Sequence, residues 1–139
     1  MIGSDRLILL DTHIWIWWVK QDRQLAPVVT RRLAETRAGI AISSISTYEA
    51  VLQIRRGRVE IDLPLQKWLH TATVEAGVEI LALNAEIAAK AADLPLHHGD
   101  PLDRIIIATA LHHNAEIVSA DSQFPRYELL VGRLISNKD

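Results

Sequence analysis

The chain has 139 residues, 49% of them apolar and 23% charged, with a formal net charge of −2 and no cysteine. Those figures fit one globular domain, 1–139, with a substantial core. They exclude disulfides and thiolate metal sites, and they leave any polyanionic partner to a local positive site. The apolar run Leu7–Val19, broken by Asp11, Thr12 and His13, is too short to cross a bilayer, and no basic leader with a cleavage site precedes it. A cytoplasmic location without membrane contact is expected.

In chain order, Arg6–Leu10 reads as a strand buried on both faces, followed by a helix through the tryptophans to about Lys20. Pro27 suits the first turn of a second helix, which runs to about Arg37 and is ended by Gly39. "GIAIS", Gly39–Ser43, is a short strand, and Ser44 or Ser46 is expected to cap a helix carrying Tyr48, Glu49, Leu52 and Gln53 as far as Gly57. Pro64 starts a helix through Trp68 and Val74 to about Gly77. "VEILAL", Val78–Leu83, is a third strand, and Asn84 caps the alanine-rich helix after it. "DPLDRIIIATALHH", Asp100–His113, is a strong helix; Glu116–Ser119 is a strand, and "GRLI", Gly132–Ile135, a last one. Residues Asn137–Asp139 are expected to fray. Short apolar strands alternating with helices predict a three-layer α/β/α domain around a central, mostly parallel sheet.

In such sheets, ligands bind beyond the carboxyl ends of the strands, where crossovers diverge. Asp11 follows the first strand, Asp121 lies just past Glu116–Ser119, and Glu49 and Asp103 fall in the first turns of helices that begin at the same edge. Each has a local explanation. Asp11 can cap a helix, "STYE" and "DPLD" both fit a capping box, and Asp121 can anchor a turn. Taken together, four acids on one edge would repel one another unless a hard divalent cation neutralises them. Among the cations, Arg104 beside Asp103 has the forked donors that suit a substrate phosphate, and "RRGR", Arg55–Arg58, forms a basic cluster at a helix end. His97 and His98 are read as a solvated loop, and His112 and His113 as suited to a helix C-terminus. Trp15, Trp17, Trp18 and Trp68 are read mainly as core or interface area.

The segments "LLDTHIWIWW", "ISSISTYEA", "HHGDPLDRIIIATA" and "EIVSADSQF" resemble, in order and spacing, those of PIN-domain nucleases, above all the ribonuclease toxins of VapBC-type toxin–antitoxin pairs. The likeness runs from Leu7 to the terminal "GRLI". No segment is specific alone; the set is. The resemblance implies a metal-dependent endoribonuclease in which Asp11, Glu49, Asp103 and Asp121 hold Mg2+ or Mn2+ and carry catalysis. Thr12 and Ser119 would orient those ligands, and the ion would polarise the phosphate and lower the pKa of a water. One departure is Gln53, where such relatives often carry lysine. The resemblance also implies an RNA substrate, a homodimer, and a cognate antitoxin whose tail covers the acidic site; an apolar groove near Trp15 and Trp18 is expected as a docking surface for it. The alternatives are a catalytically idle PIN-like interaction module or, further off, a Mg2+-binding receiver- or phosphatase-like domain. The receiver would need paired acids after strand one and a strand-end lysine; the phosphatase would need an acid where His13 stands.

Overall fold

The computed structural model describes residues 6–97 and 99–138, so His98 and Asp139 lie outside the described residues. Strands β1 (Ile8–Leu10), β2 (Ile40–Ser43), β3 (Val78–Leu81), β4 (Glu116–Ser119) and β5 (Leu134–Ser136) lie in the order β3-β2-β1-β4-β5. Every neighbouring pair is parallel. The helices are α1 (Thr12–Lys20), α2 (Pro27–Glu35), α3 (Ser44–Arg55), α4 (Leu65–His70), α5 (Ala85–Asp93) and α6 (Pro101–His112).

Successive strand side chains point to opposite faces, and both faces are covered. Ile8 and Leu10 of β1 join Ile42, Val118, Trp15, Val29 and Trp68 in one core. Leu9 joins Ala41, Ile117, Ile87 and Ile106 in the other. This is the three-layer arrangement expected, and it explains why the central strand β1 is apolar and buried throughout instead of alternating.

Several local features differ from the sequence reading. The cap of α3 is Ser43, whose hydroxyl accepts from the Ile45 amide at 3.2 Å. Ser46 is fully buried within the helix, so "STYE" is not a capping box, and Glu49 falls in the second turn. The Pro64 helix regularises only to His70 and continues as a π-helical turn over Thr71–Glu75. Into that turn the Trp15 indole N–H donates, to the Ala72 carbonyl at 2.9 Å. Such an inserted donor takes an acceptor from the helical ladder, a recognised cause of local widening. Trp15 is fully buried, its ring tilted against Trp68 at 5.5 Å, and therefore offers nothing to a docking partner. Asn137 is not frayed. Its side chain accepts from the Ala26 amide at 2.7 Å and donates to the Gln24 carbonyl at 2.8 Å, while its amide donates to Ser119 O at 3.0 Å.

Arg104 corrects a further expectation. It is 8% exposed. Its guanidinium donates to the carbonyls of Ala91, Leu94 and Pro95 at 2.8, 2.7 and 2.9 Å, and to that of Ala92 at 3.2 Å. Those carbonyls close α5, whose last turn would otherwise leave acceptors unpaired. The donors that suit a phosphate are thus occupied in fixing the segment between α5 and α6, and Arg104 is a structural residue. Arg104→Ala is expected to destabilise the protein by about 3 kcal/mol, because buried acceptors lose a charged donor, lowering the melting temperature by roughly 10 °C. The Mn2+-induced rise in melting temperature should persist in that variant. Scanning calorimetry of both proteins, with and without Mn2+, checks both points.

Candidate metal and active site

From β1 the chain steps outward through β2 to β3, then returns across β1 to place β4 on its other flank. The crevice of this fold therefore opens at the carboxyl ends of β1 and β4. Asp11 leaves β1 there. Its amide donates to Val118 O at 3.1 Å, and its carboxylate caps α1 by accepting from the Ile14 amide at 3.0 Å. Ser119, the last residue of β4, also hydrogen-bonds the Asp11 carboxylate. The same Ser119 hydroxyl accepts from the Asp121 amide at 3.0 Å, and the Asp121 carboxylate accepts from the Gln123 amide at 2.7 Å. One hydroxyl thereby locks the turn that carries Asp121 to the end of β1.

Glu49 comes from α3 and is held by Thr12, whose hydroxyl donates to its carboxylate. Thr12 also lies 3.0 Å from the Ser46 hydroxyl. A hydroxyl has one proton, and a carboxylate can only accept. Ser46 must therefore act as the donor to Thr12, completing a relay from the α3 interior to Glu49. Asp103 stands in the first turn of α6, behind the Asp100 cap and Pro101.

All four sequence-predicted acids line one cavity of about 300 Å3, with Thr12, His13, Trp17, Asp100 and Ala120 completing its wall. The local and functional readings of the acids coexist: Asp11 is a cap and Asp121 a turn anchor, yet both face this cavity. The sequence reading gives no place in this wall to Asp100, Trp17 or Ala120. Asp100 caps α6 as its sequence position suggests, accepting from the Leu102 amide at 2.9 Å, and it also lines the cavity. Trp17 was assigned to packing. Its spacing four residues beyond His13, which puts both on one helix face, is the available signal. Among the described residues, no three His, Cys, Asp or Glu side chains already stand grouped for one metal ion.

The electrostatics register the crowding. Burial pushes the Asp11 carboxyl up to about 6, opposed by the bonds from Ser119 and Ile14 and by nearby His13, and aided by Glu49. Burial likewise raises Asp103 to about 8, reinforced by the charges of Asp100, Asp121, Glu49 and Asp11 in that order. An all-oxygen, multiply anionic donor set with unspent negative potential matches a hard divalent cation.

The chain belongs to the PIN-domain family, whose sequence profile matches residues 8–130. It is 30% identical over 115 residues to Ribonuclease VapC22 of Mycobacterium tuberculosis (strain ATCC 25618 / H37Rv), covering 82% of this chain and 86% of that protein. Its fold is similar to VapBC2 from Rickettsia felis bound to a DNA fragment from their promoter, with a TM-score of 0.68, 22% identity, and 95% and 99% of the two chains covered. It is also similar to a toxin–antitoxin complex from Klebsiella pneumoniae, with a TM-score of 0.68, 19% identity, and 95% and 98% covered. At those identities the structural likeness establishes the fold.

Asp11 and Asp103 bind protons more tightly in the folded chain than at the ordinary value of 3.8. Without metal, the folded state holds more protons than the unfolded state between about pH 4 and 8, so stability falls as pH rises through that window. Melting curves in chelator at pH 5 and pH 8 should therefore show the lower melting temperature at pH 8. In Asp103→Asn this difference should shrink, and the variant should be the more stable of the two at pH 8. A wild-type melting temperature that rises from pH 5 to pH 8 contradicts the assignment.

Proposed function

We propose that this protein is a metal-dependent endoribonuclease, the toxin of a toxin–antitoxin pair. The observation that carries the reading is the meeting of Asp11, Glu49, Asp103 and Asp121 in one cavity at the crevice of the sheet. The 30% identity to a ribonuclease supports the choice of RNA phosphodiesters as substrate. Among the described residues, no helix is long and apolar enough to cross a membrane, which is compatible with action in the cytoplasm.

Asp11, Glu49, Asp103 and Asp121 would hold Mg2+ or Mn2+, in part through water, since no three of them are already grouped for one ion. When bound, the ion neutralises phosphate charge, polarises the phosphoryl oxygen and lowers the pKa of an attacking water. The chain's own residues supply the rest. Thr12 fixes the Glu49 rotamer, Ser119 and the Ile14 amide fix Asp11, and the Gln123 amide fixes Asp121. A carboxylate of the set takes the proton that the attacking water gives up. The exposed Arg55, Arg56 and Arg58, at the far end of the helix that carries Glu49, are available for neighbouring RNA phosphates.

An antitoxin needs an apolar seat. A second cavity of about 600 Å3 lies where α1 meets α2 and the π-helical turn; Trp18, Val19, Leu25 and Ala76 give it an apolar floor, and Gln21, Asp22 and Glu75 stand among its polar lining. This refines the docking region to Trp18, without Trp15. The protein is further proposed to act as a homodimer.

Purified protein is expected to cleave RNA with Mg2+ or Mn2+, and chelator or Asp11→Asn should abolish cleavage. Asparagine caps a helix as well as aspartate, so folding is preserved and lost activity reports on chemistry. Persistent cleavage by Asp11→Asn would sink the proposal, and a wild type that binds antitoxin without cutting RNA favours the idle module. Mn2+ should raise the wild-type melting temperature by mass action and raise that of Asp103→Asn less. Trp18→Asp should lose co-purification with the antitoxin while retaining cleavage; unchanged co-purification removes Trp18 from that interface.

A further inference from the structure

The three tryptophans of α1 point to three different places. Trp15 is fully buried with its N–H satisfied by Ala72. Trp18 lines the apolar cavity beside Leu25. Trp17 lines the acidic cavity, in company with His13. His13 and Trp17 are four residues apart on α1, hence neighbours on one helix face. Their rings stand 6.0 Å apart, tilted at 51°. His13 is exposed, and Trp17 is only partly buried, one part of it packed against the core. A metal site built from carboxylates has no use for an indole. An aromatic wall facing a cluster of anions suits a ligand with a phosphate at one end and a flat π-system at the other.

We infer that His13 and Trp17 form a platform on which one unpaired base of the RNA stacks, next to the phosphate that is cut. The inference rests on the ribonuclease reading and adds to it the side chains that hold a base of the substrate. Carboxylates and a cation engage only phosphate oxygens, which are alike in every nucleotide and in single and double strands. Stacking on Trp17 needs a free base face, and in a duplex both faces are covered by neighbouring pairs. The platform therefore selects single-stranded stretches such as loops, where RNA bases are open to aromatic side chains. Every base has a π-face, so preference among sequences is weak and preference for unpaired structure is strong.

The test uses the full chain, one fluorogenic single-stranded RNA, and the same RNA annealed to its complement. Trp17→Leu keeps an apolar side chain against the core and removes the π-surface. It should raise KM about five- to a hundred-fold, the range expected for one lost base stack. kcat should be nearly unchanged, since the interaction holds substrate and transition state alike. Trp17→Phe should fall between wild type and Trp17→Leu. His13→Ala, at an exposed position, should raise KM more mildly, and the duplex should resist all four proteins. Oligoadenylate should quench the fluorescence of the wild type, and the quench should vanish in Trp17→Phe, which still cleaves.

The Mn2+-induced rise in melting temperature should be the same in wild type and all three variants, showing that the carboxylate site is intact. Trp17→Leu with wild-type KM, or equal cleavage of duplex and single strand, overturns the platform while leaving the ribonuclease standing. A wild type that cleaves no RNA brings down both.

Discussion

Like charges forced together by backbone topology are the constraint on which this molecule turns. Once β4 is laid beside β1 instead of beyond β3, the residues leaving those strands must share one edge, and Asp11 and Asp121 share it. Glu49 and Asp103 arrive from helices that flank the same opening. In water such a group would spread apart. Here Asp11, Glu49 and Asp121 are each held by neighbours that are themselves part of the fold: the Ile14 and Gln123 amides, and the Thr12 and Ser119 hydroxyls. Those donors keep the carboxylates aimed while neutralising little of their charge. The metal-free state is consequently a strained one, with stability given up at the site that does the work.

Helix ends relieve part of the tension. Asp11 caps α1, and Asp100 and Asp103 occupy the first turn of α6, so two helix N-termini present their positive ends to the cavity. The same turn shows how finely helix geometry assigns roles. Asp103 and Arg104 are adjacent in sequence, but one step along a helix rotates the side chain by about 100°. The carboxylate therefore faces the cavity, and the guanidinium enters the protein to close α5. The opposite charges do not cancel; they serve separate tasks.

The sequence disclosed the layers well because strands buried on both faces are apolar at every position, and because Pro27, Asn84 and Asp100 mark helix starts by mechanisms that act within a few residues. It disclosed the acids for a related reason, as Asp11 and Asp121 lie just past strand ends and Asp103 opens a helix, while Glu49 was placed one turn too early. What escaped were contacts between residues distant in the chain. Nothing near Trp15 announces that its N–H meets Ala72 and that the helix there widens. Nothing near Arg104 tells whether its donors face solvent or the carbonyls of α5. The cap of α3 moved to Ser43 because three closely spaced serines, Ser43, Ser44 and Ser46, offer equal local chemistry, and only the end of β2 chooses between them.

Asn137 has a further significance. The residue preceding α2, Ala26, has no side chain able to cap the helix, and its amide is met by the Asn137 carboxamide from the other end of the chain. Adjacent Leu25 lines the apolar cavity beside Trp18. In a chain made from its N-terminus, α2 emerges long before residue 137 does, so the entry to α2 is left unpinned until β5 and the residues after it have folded against the sheet. The N-terminal edge of this cavity is thus tied to the C-terminal end of the described chain by one long-range hydrogen bond.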